Sequence, residues 1–235
     1  EGTTEEDITH IMGQAAETAA ECNIEIIGGH TEITKAVNRP VIVSTAVGRG
    51  FKGQSASASE IKPGDAILMT KTAGIEGTGI IACDYEEELR EVLSGEELEH
   101  AKSLLSKVSV VKDGIIAGRI GTHGMHDVTE GGILGAVWEM CSIAGTGARL
   151  EAIPADDVTR RICEHYDINM LRLISSGSML IMTEEDKKEE IIRELAAQGI
   201  PAAQIGKIVP KEEGLSICEG GKQTQIGPPG PDELY

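Results

Sequence analysis

The chain has 235 residues, of which 40% are hydrophobic, so it can form a substantial core and is not expected to be disordered. Asp and Glu number 39 against 21 Lys and Arg, and the resulting formal charge of -18 would repel nucleic acid. One Trp, three Tyr and one Phe provide neither a base-stacking platform nor a membrane-interface belt, so neither nucleic acid nor a membrane is an expected partner.

The five cysteines are widely spaced and form no C-x-x-C pair, which argues against a zinc site and against a disulfide framework. We therefore expect reduced, mostly buried thiols. The sequence has neither an apolar run of membrane-spanning length nor a basic segment followed by an apolar one, as in a signal peptide. The expected location is the cytoplasm.

The first predicted element is a helix that begins at "TTEED", where a threonine can cap the helix and acidic residues fill its first turn. Apolar residues at helical spacing then form a stripe that another surface must cover. The stripe comprises Ile8, Ile11, Met12, Ala15, Ala19 and Cys22. Because the chain starts at Glu1 without a methionine, we expect a fragment cut in front of this helix.

Two strands are predicted next, over residues 24–29 and 40–50, and the turn between them carries His30 and Glu32. These two side chains are interpreted as exposed turn residues. Residues 41–47 are largely apolar on both faces, which predicts burial on both sides and a dimer through this region. Residues 50–65 are rich in Gly, Ser and Ala, so we place a domain boundary there: residues 1–61, residues 62–227, and a mobile tail at 228–235.

The stretch "AILMTKTAGIEGTGIIA" predicts a buried strand that passes through a glycine-rich turn into a helix, a geometry whose backbone N–H groups point at a bound anion. Helices at 86–93 and 96–111 follow. Helices and strands then interleave, which favours an α/β (α+β) fold. The predicted helices cover residues 133–141, 155–165 and 185–198, and the strands cover 148–152, 178–183, 205–209 and a hairpin around "EGGK".

The stretch "HDVTEGG" combines hard oxygen ligands with a pair of glycines where a helix begins. Asp127 and Glu130 can hold Mg²⁺, Thr129 adds a hydroxyl, and Gly131 and Gly132 let the backbone approach a phosphate. An ordinary helix cap, in which Thr129 or Asp127 caps the helix and the rest is solvated, explains the composition equally well. The later "ISSGSM" is interpreted as a small-residue turn.

The order and spacing of four stretches resemble those of the aminoimidazole ribonucleotide (AIR) synthetase superfamily. The motifs are most similar to those of its hydrogenase expression/formation (maturation) branch. They are "EIIGGHTEI", "RPVIVSTAVG", "KPGDAILMTKTAGIEGTGIIA" and "MHDVTEGGILGAVWEM". The resemblance covers nearly the whole chain. It implies a two-domain fold, with a partial N-terminal domain that binds ATP and forms a dimeric β-barrel, and a complete C-terminal α/β domain. It also implies that the chain is N-terminally truncated.

The resemblance further implies an enzyme that uses ATP and Mg²⁺ to phosphorylate an amide-type or carbonyl-type oxygen of a small-molecule substrate. It assigns Asp127 and Glu130 to the metal and leaves the catalytic residue unassigned. Nucleotide-binding residues are expected at Gly28, Gly29, Thr31, Gly77, Gly79, Thr129, Gly131 and Gly132. A homodimer and a maturation partner protein are the expected assemblies.

Two departures from the family pattern affect the function. His30 stands where several relatives carry an aspartate, and a neutral imidazole is a poor Mg²⁺ ligand. Hydrogenase maturation factors act through a cysteine at the C-terminus, whereas this sequence ends in "PDELY". The alternatives are therefore a maturation-like dehydratase without that cysteine, or a non-catalytic relative that binds an anion or scaffolds a partner. The fragment alone is expected to be inactive.

Overall fold

The computed structural model describes residues 2–49, 56–230 and 232–234, and the chain divides into two compact units, Glu1–Gly50 and Phe51–Tyr235. The first unit contains helix α1 (Glu5–Glu21). As the sequence predicts, Thr4 caps this helix: its side chain accepts a hydrogen bond from the backbone N–H of Asp7, whose carboxylate accepts one from the backbone N–H of Thr4.

The strands predicted over residues 24–29 and 40–50 are not formed among the described residues 2–49, whose regular secondary structure is limited to α1. Residues 24–29 and 41–47 are rich in β-branched side chains, and these remain exposed: Ile27, Val43 and Val47 are each at least 85% exposed. A strand exists only when a neighbouring strand pairs with it, and local sequence does not supply that neighbour. The strand prediction is therefore wrong for this unit as described.

The second unit is built on a seven-stranded sheet with the order β2-β4-β1-β5-β3-β6-β7. Neighbouring strands are antiparallel except for the parallel pair β3 and β6. The strands are β1 (Ala66–Thr70), β2 (Gly124–Asp127), β3 (Gly147–Leu150), β4 (Met179–Thr183), β5 (Ala202–Val209), β6 (Leu215–Glu219) and β7 (Lys222–Gln225).

Seven helices of the described residues accompany this sheet. They are α2 (Ile75–Asp84), α3 (Glu86–Leu89), α4 (Gly95–Ser103), α5 (Val111–Ile120), α6 (Gly132–Ala144), α7 (Asp157–His165) and α8 (Lys188–Ala197). No helix among the described residues combines the length and the apolar character that crossing a bilayer requires. The interleaved helices and strands confirm the α/β prediction.

Both faces of the central strand β1 are covered, because its alternate side chains enter different apolar clusters. Ile67 and Met69 pack with α6, and Leu68 packs on the opposite face with α5 and α8. A third cluster joins α2, α4 and α7. All five residues of β1 are buried, which explains why its sequence is a continuous apolar run rather than an alternating one.

One helix of this unit was predicted with the wrong bounds. The helix predicted over residues 96–111 ends at Ser103 and continues as a 3₁₀ turn, and α5 begins only at Val111. Ser103 and Ser106 donate side-chain hydrogen bonds to the backbone carbonyls of His100 and Ser103, and such bonds compete with helix continuation. The strand-to-helix junction expected over residues 123–132 is present as β2 followed by α6, although "GMHD" is short and lacks β-branched residues.

We predict that Gly77→Ala destabilises the protein because there is no room for a side chain at this position of α2. An added Cβ would lie 2.4 Å from Cγ of the fully buried Leu173, so the free energy of unfolding should fall by about 1–3 kcal/mol. Gly95→Ala is the control, since open space surrounds this first residue of α4 and alanine favours a helix. Urea unfolding measures both variants, and equal stabilities would contradict the packing role.

Candidate functional site

Helix α6 begins at a pair of glycines that the sequence places directly after strand β2. Gly131 is the N-cap residue with φ 77°, and Gly132 follows with φ 60°, a left-handed region that glycine adopts without strain. A Cβ on Gly132 would lie 2.5 Å from the carbonyl oxygen of Leu171. The two glycines therefore permit a tight turn and a close approach of backbone to backbone.

Helix α2 begins in a similar way, with Gly74 as its N-cap residue at φ 70°. The backbone N–H of Gly74 donates to Oγ of Ser175 at 2.8 Å, and the N–H of Gly77 donates to the carbonyl of Ile174 at 3.0 Å. Leu171, a few residues earlier, accepts from the N–H of Leu134 in α6 at 3.1 Å. The segment 171–175 thus accepts hydrogen bonds from the first turns of both helices. The two predicted glycine-rich turns therefore lie beside the same segment.

The predicted metal ligands lie on the surface beside the start of α6. Asp127 ends β2, and its side chain is 59% exposed; Glu130 is exposed too. The half-buried Thr129 contributes its carbonyl, which accepts from the N–H of Gly132 at 3.1 Å. Because Gly131 holds the N-cap position, neither Asp127 nor Thr129 occupies it.

No preassembled group of three or more His, Cys, Asp or Glu side chains suited to a metal occurs in the part of the chain that the structure describes. Mg²⁺ does not require such a group, since it is usually held by one or two carboxylates together with waters and substrate phosphates. The exposed carboxylates of Asp127 and Glu130 fit that kind of site.

His123 directly precedes β2 and lies at the other end of that strand from Asp127. Gly124 pairs with Met182 and Asp127 with Met179, so β2 separates His123 from Asp127 by about 13 Å at the usual rise per residue. Nδ1 of His123 lies 2.7 Å from the buried carboxylate of Asp65. His123 therefore does not contribute to the cluster of Asp127 and Glu130.

The glycines predicted to bind nucleotide have different surroundings. Gly77 and Gly79 lie inside α2, where an added Cβ would collide with Leu173 and with Leu105 respectively, so each permits close side-chain packing. The N–H of Gly77 is already bonded. Gly28, Gly29 and Thr31 are exposed and lie outside regular secondary structure in the first unit. Nucleotide binding at all of these positions stays a prediction.

A buried polar network near the segment 171–175 was not anticipated from the sequence. Lys71 has φ 56°, and its ammonium donates to Asp113 at 2.8 Å and to the carbonyls of Ser109 and Gly177 at 3.1 and 2.7 Å. A lysine that ends the apolar run "AILMT" is the signal that could have revealed this network. With three acceptors, Lys71 fixes the loops around the site and is not free to bind a phosphate.

The serines of "ISSGSM" belong to the same framework. Ser178 donates to the carbonyl of Thr72 at 2.6 Å, and its hydroxyl lies 2.9 Å from that of Ser175. Both serines are fully buried. The interpretation of this stretch as a structural turn agrees with these contacts, since Ser175 is also the side chain that holds Gly74.

The described cysteines are all free, and two of the five are buried. Burial raises the pKa of the Cys163 thiol to about 12 and that of Cys141 to about 11. Neither forms appreciable thiolate at neutral pH, so neither is suited to act as a nucleophile. Cys83 and Cys218 are exposed and Cys22 is half-buried, so the expectation of mostly buried thiols is wrong.

A family model described as AIR synthase related protein, C-terminal domain, matches residues 62–218 of the sequence. The chain belongs to this family. The match includes the start of α2, the start of α6 and the segment 171–175, so the arrangement described above lies within the family domain of this AIR synthase-related chain.

The carbamoyl dehydratase HypE of Escherichia coli is 26% identical over 218 residues, covering 90% of this AIR synthase-related chain and 62% of that protein. The chain thus spans less than two thirds of this curated relative. A crystal structure of a HypE–HypF complex has a TM-score of 0.74 at 21% identity, covering 97% of this chain and 74% of that one. The hydrogenase maturation protein HypE in complex with ATP also has a TM-score of 0.74, at 18% identity, covering 100% and 72%. These likenesses confirm the predicted fold.

Proposed function

We propose that the whole protein is an ATP-dependent, Mg²⁺-requiring enzyme that phosphorylates an amide-type or carbonyl-type oxygen of a small substrate. The observation that carries this proposal is the start of α6, where two consecutive left-handed glycines stand beside exposed carboxylates at the end of β2. Family membership and the ATP complex of a HypE protein support it.

Each part of this site has a distinct task in the proposed reaction. The N–H groups of Gly132 and Leu134 are bonded to Thr129 and Leu171, so the start of α6 would offer phosphate oxygens the positive end of the helix dipole and the N–H of Gly131. Asp127 and Glu130 would hold Mg²⁺, which supplies positive charge to the phosphates. Gly131 would leave room for the anion, while Gly132 allows the backbone of α6 to approach Leu171. In the transfer, the terminal phosphoryl group moves to the substrate oxygen and ADP leaves.

The similarity to a carbamoyl dehydratase favours an amide-type oxygen as the acceptor. Phosphorylation turns that oxygen into a good leaving group, so loss of phosphate completes a dehydration. A non-catalytic relative that binds an anion or scaffolds a partner is the competing proposal. The HypE–HypF complex of a structural relative supports a maturation partner protein as a further proposal.

Asp127→Ala in the whole protein should abolish Mg²⁺-dependent ATP turnover with little effect on stability. The exposed carboxylate does not cap α6, so the free energy of unfolding should change by less than about 0.5 kcal/mol. Glu190→Ala is the control, because it removes an exposed carboxylate from α8, which packs on the opposite face of β1 from α6. The ATPase rate and the melting temperature test the two effects.

A destabilised but active Asp127→Ala variant would show that this carboxylate is structural. If the intact protein neither binds nor hydrolyses MgATP in calorimetric and turnover assays, the proposed enzyme is wrong and the scaffold proposal gains support.

We also propose a homodimer through the first unit, because its apolar side chains need a covering surface. Val43→Glu places a charge at a side chain that is 86% exposed, and it should shift the chain from dimer to monomer in light scattering. Ile143→Glu on α6 is the control, since it changes an exposed apolar residue of the other unit. A wild-type chain that stays monomeric at high concentration would contradict the dimer.

A further inference from the structure

Helix α5 lies in a stretch of the sequence that has very few acidic residues. Residues 100–126 contain one carboxylate, that of Asp113, although the whole chain has 39 Asp and Glu against 21 Lys and Arg. Asp113 is buried and forms an ion pair with Lys71 at 2.8 Å, so it contributes no negative charge to the surface. The exposed charges of this stretch are therefore basic, in a protein whose formal net charge is -18.

The exposed side of α5 combines cations with aliphatic side chains. Val111, Ile115 and Arg119 are spaced four residues apart, so they lie on one face of the helix. Val111 is 41% exposed and Ile115 is 47% exposed, while Asp113 is buried on the opposite side. Val108, just before the helix, is 38% exposed. We call this surface the α5 face and define it by three apolar and three basic residues: Val108, Val111 and Ile115, with Lys107, Lys112 and Arg119.

The three cations of the α5 face have no carboxylate partner among the described residues. Other cations of the same unit, such as Arg90, Lys102 and Arg149, form ion pairs with glutamates. Unpaired cations along one helix produce a local positive potential, which attracts a partner of opposite charge. Aliphatic side chains between them add a surface that is stabilised when water is removed from it.

The framework beneath the α5 face holds it in one conformation. The carbonyl of Ser109 accepts a hydrogen bond from Nζ of Lys71 at 3.1 Å, and the carboxylate of Asp113 accepts one from the same ammonium. A Cβ on Gly177 would lie 2.6 Å from the carbonyl oxygen of Lys107, so the backbone approaches closely there too. A ligand would therefore meet a preformed surface, which lowers the entropy cost of binding.

We propose that the α5 face docks an acidic amphipathic helix of a partner protein. Aliphatic residues of that helix cover Val108, Val111 and Ile115, and its Asp or Glu side chains pair with the cations around them. Nucleic acid or an anionic membrane fits less well, because it would also meet the rest of a surface with a net charge of -18. The inference does not rest on the proposed phosphoryl transfer, since the α5 face and the start of α6 have no residue in common.

Site-specific photocrosslinking in the organism that encodes the protein tests the proposal. p-Benzoylphenylalanine is placed at position 115 of the whole protein, and mass spectrometry identifies the segment that it captures. We expect a segment of another protein that is rich in Asp and Glu. Ile143, which is 64% exposed on α6, carries the probe in the matched control and should not capture that segment.

Charge reversal separates complementary docking from nonspecific apolar capture. With the probe at position 115, Lys112→Glu combined with Arg119→Glu should lower the crosslink yield about tenfold, because like charges then repel across the interface. The control is Lys211→Glu combined with Lys222→Glu, which makes the same change of charge elsewhere and should leave the yield unchanged. All four residues are exposed, so both double variants should have the melting temperature of the wild type.

Capture of a basic segment, capture of another part of this same protein, or no capture would overturn the proposal. Equal yields in the two double variants would also overturn it, since the cations would then play no part in docking. A loss confined to the double variant of Lys112 and Arg119, with an acidic segment in the crosslink, supports the acidic partner. That result holds whether or not the protein uses ATP, so the failure of one proposal is distinguishable from the failure of the other.

Discussion

The arrangement of the second unit depends on the hydrogen bonds of one short segment, residues 171–175. Its carbonyl at Leu171 binds the first turn of α6, while the carbonyl of Ile174 and the hydroxyl of Ser175 bind the first turn of α2. The free N–H groups of a helix start must find partners when they are buried. Because one segment supplies partners to both helices, their positively polarised ends are fixed beside the same stretch of backbone.

This constraint gives the glycines of the site two different tasks. Gly132 allows the backbone of α6 to approach Leu171, and Gly77 allows α2 to pack against Leu173. In the proposed site Gly131 would instead face the anion, and in this structure its N–H is bonded to Asp232. The glycine-rich motif therefore contains positions needed for packing and one proposed to face a ligand, and its composition does not distinguish them.

Elements whose signal is local were predictable, and those that depend on distant partners were not. The apolar runs of β1 and α6 and the capping box of α1 follow from neighbouring residues, and the structure has all three. The isoleucines and valines of the first unit predicted strands that lack partners among the described residues. Lys71 meets Asp113, which is 42 positions away, and Asp232 lies 101 positions from Gly131. Contacts between residues so far apart in the sequence leave no periodic pattern in it.

The central claim is that the start of α6 is the phosphate and metal site, and paramagnetic NMR with MnATP in place of MgATP tests it most directly. As MnATP is added in small substoichiometric amounts, the amide signals of Asp127, Thr129 and Gly131 should broaden first. The signal of His123 should broaden only at higher amounts, because it lies at the other end of β2. Broadening centred on His123 and Asp65, or no selective broadening of the α6 start, would contradict the account.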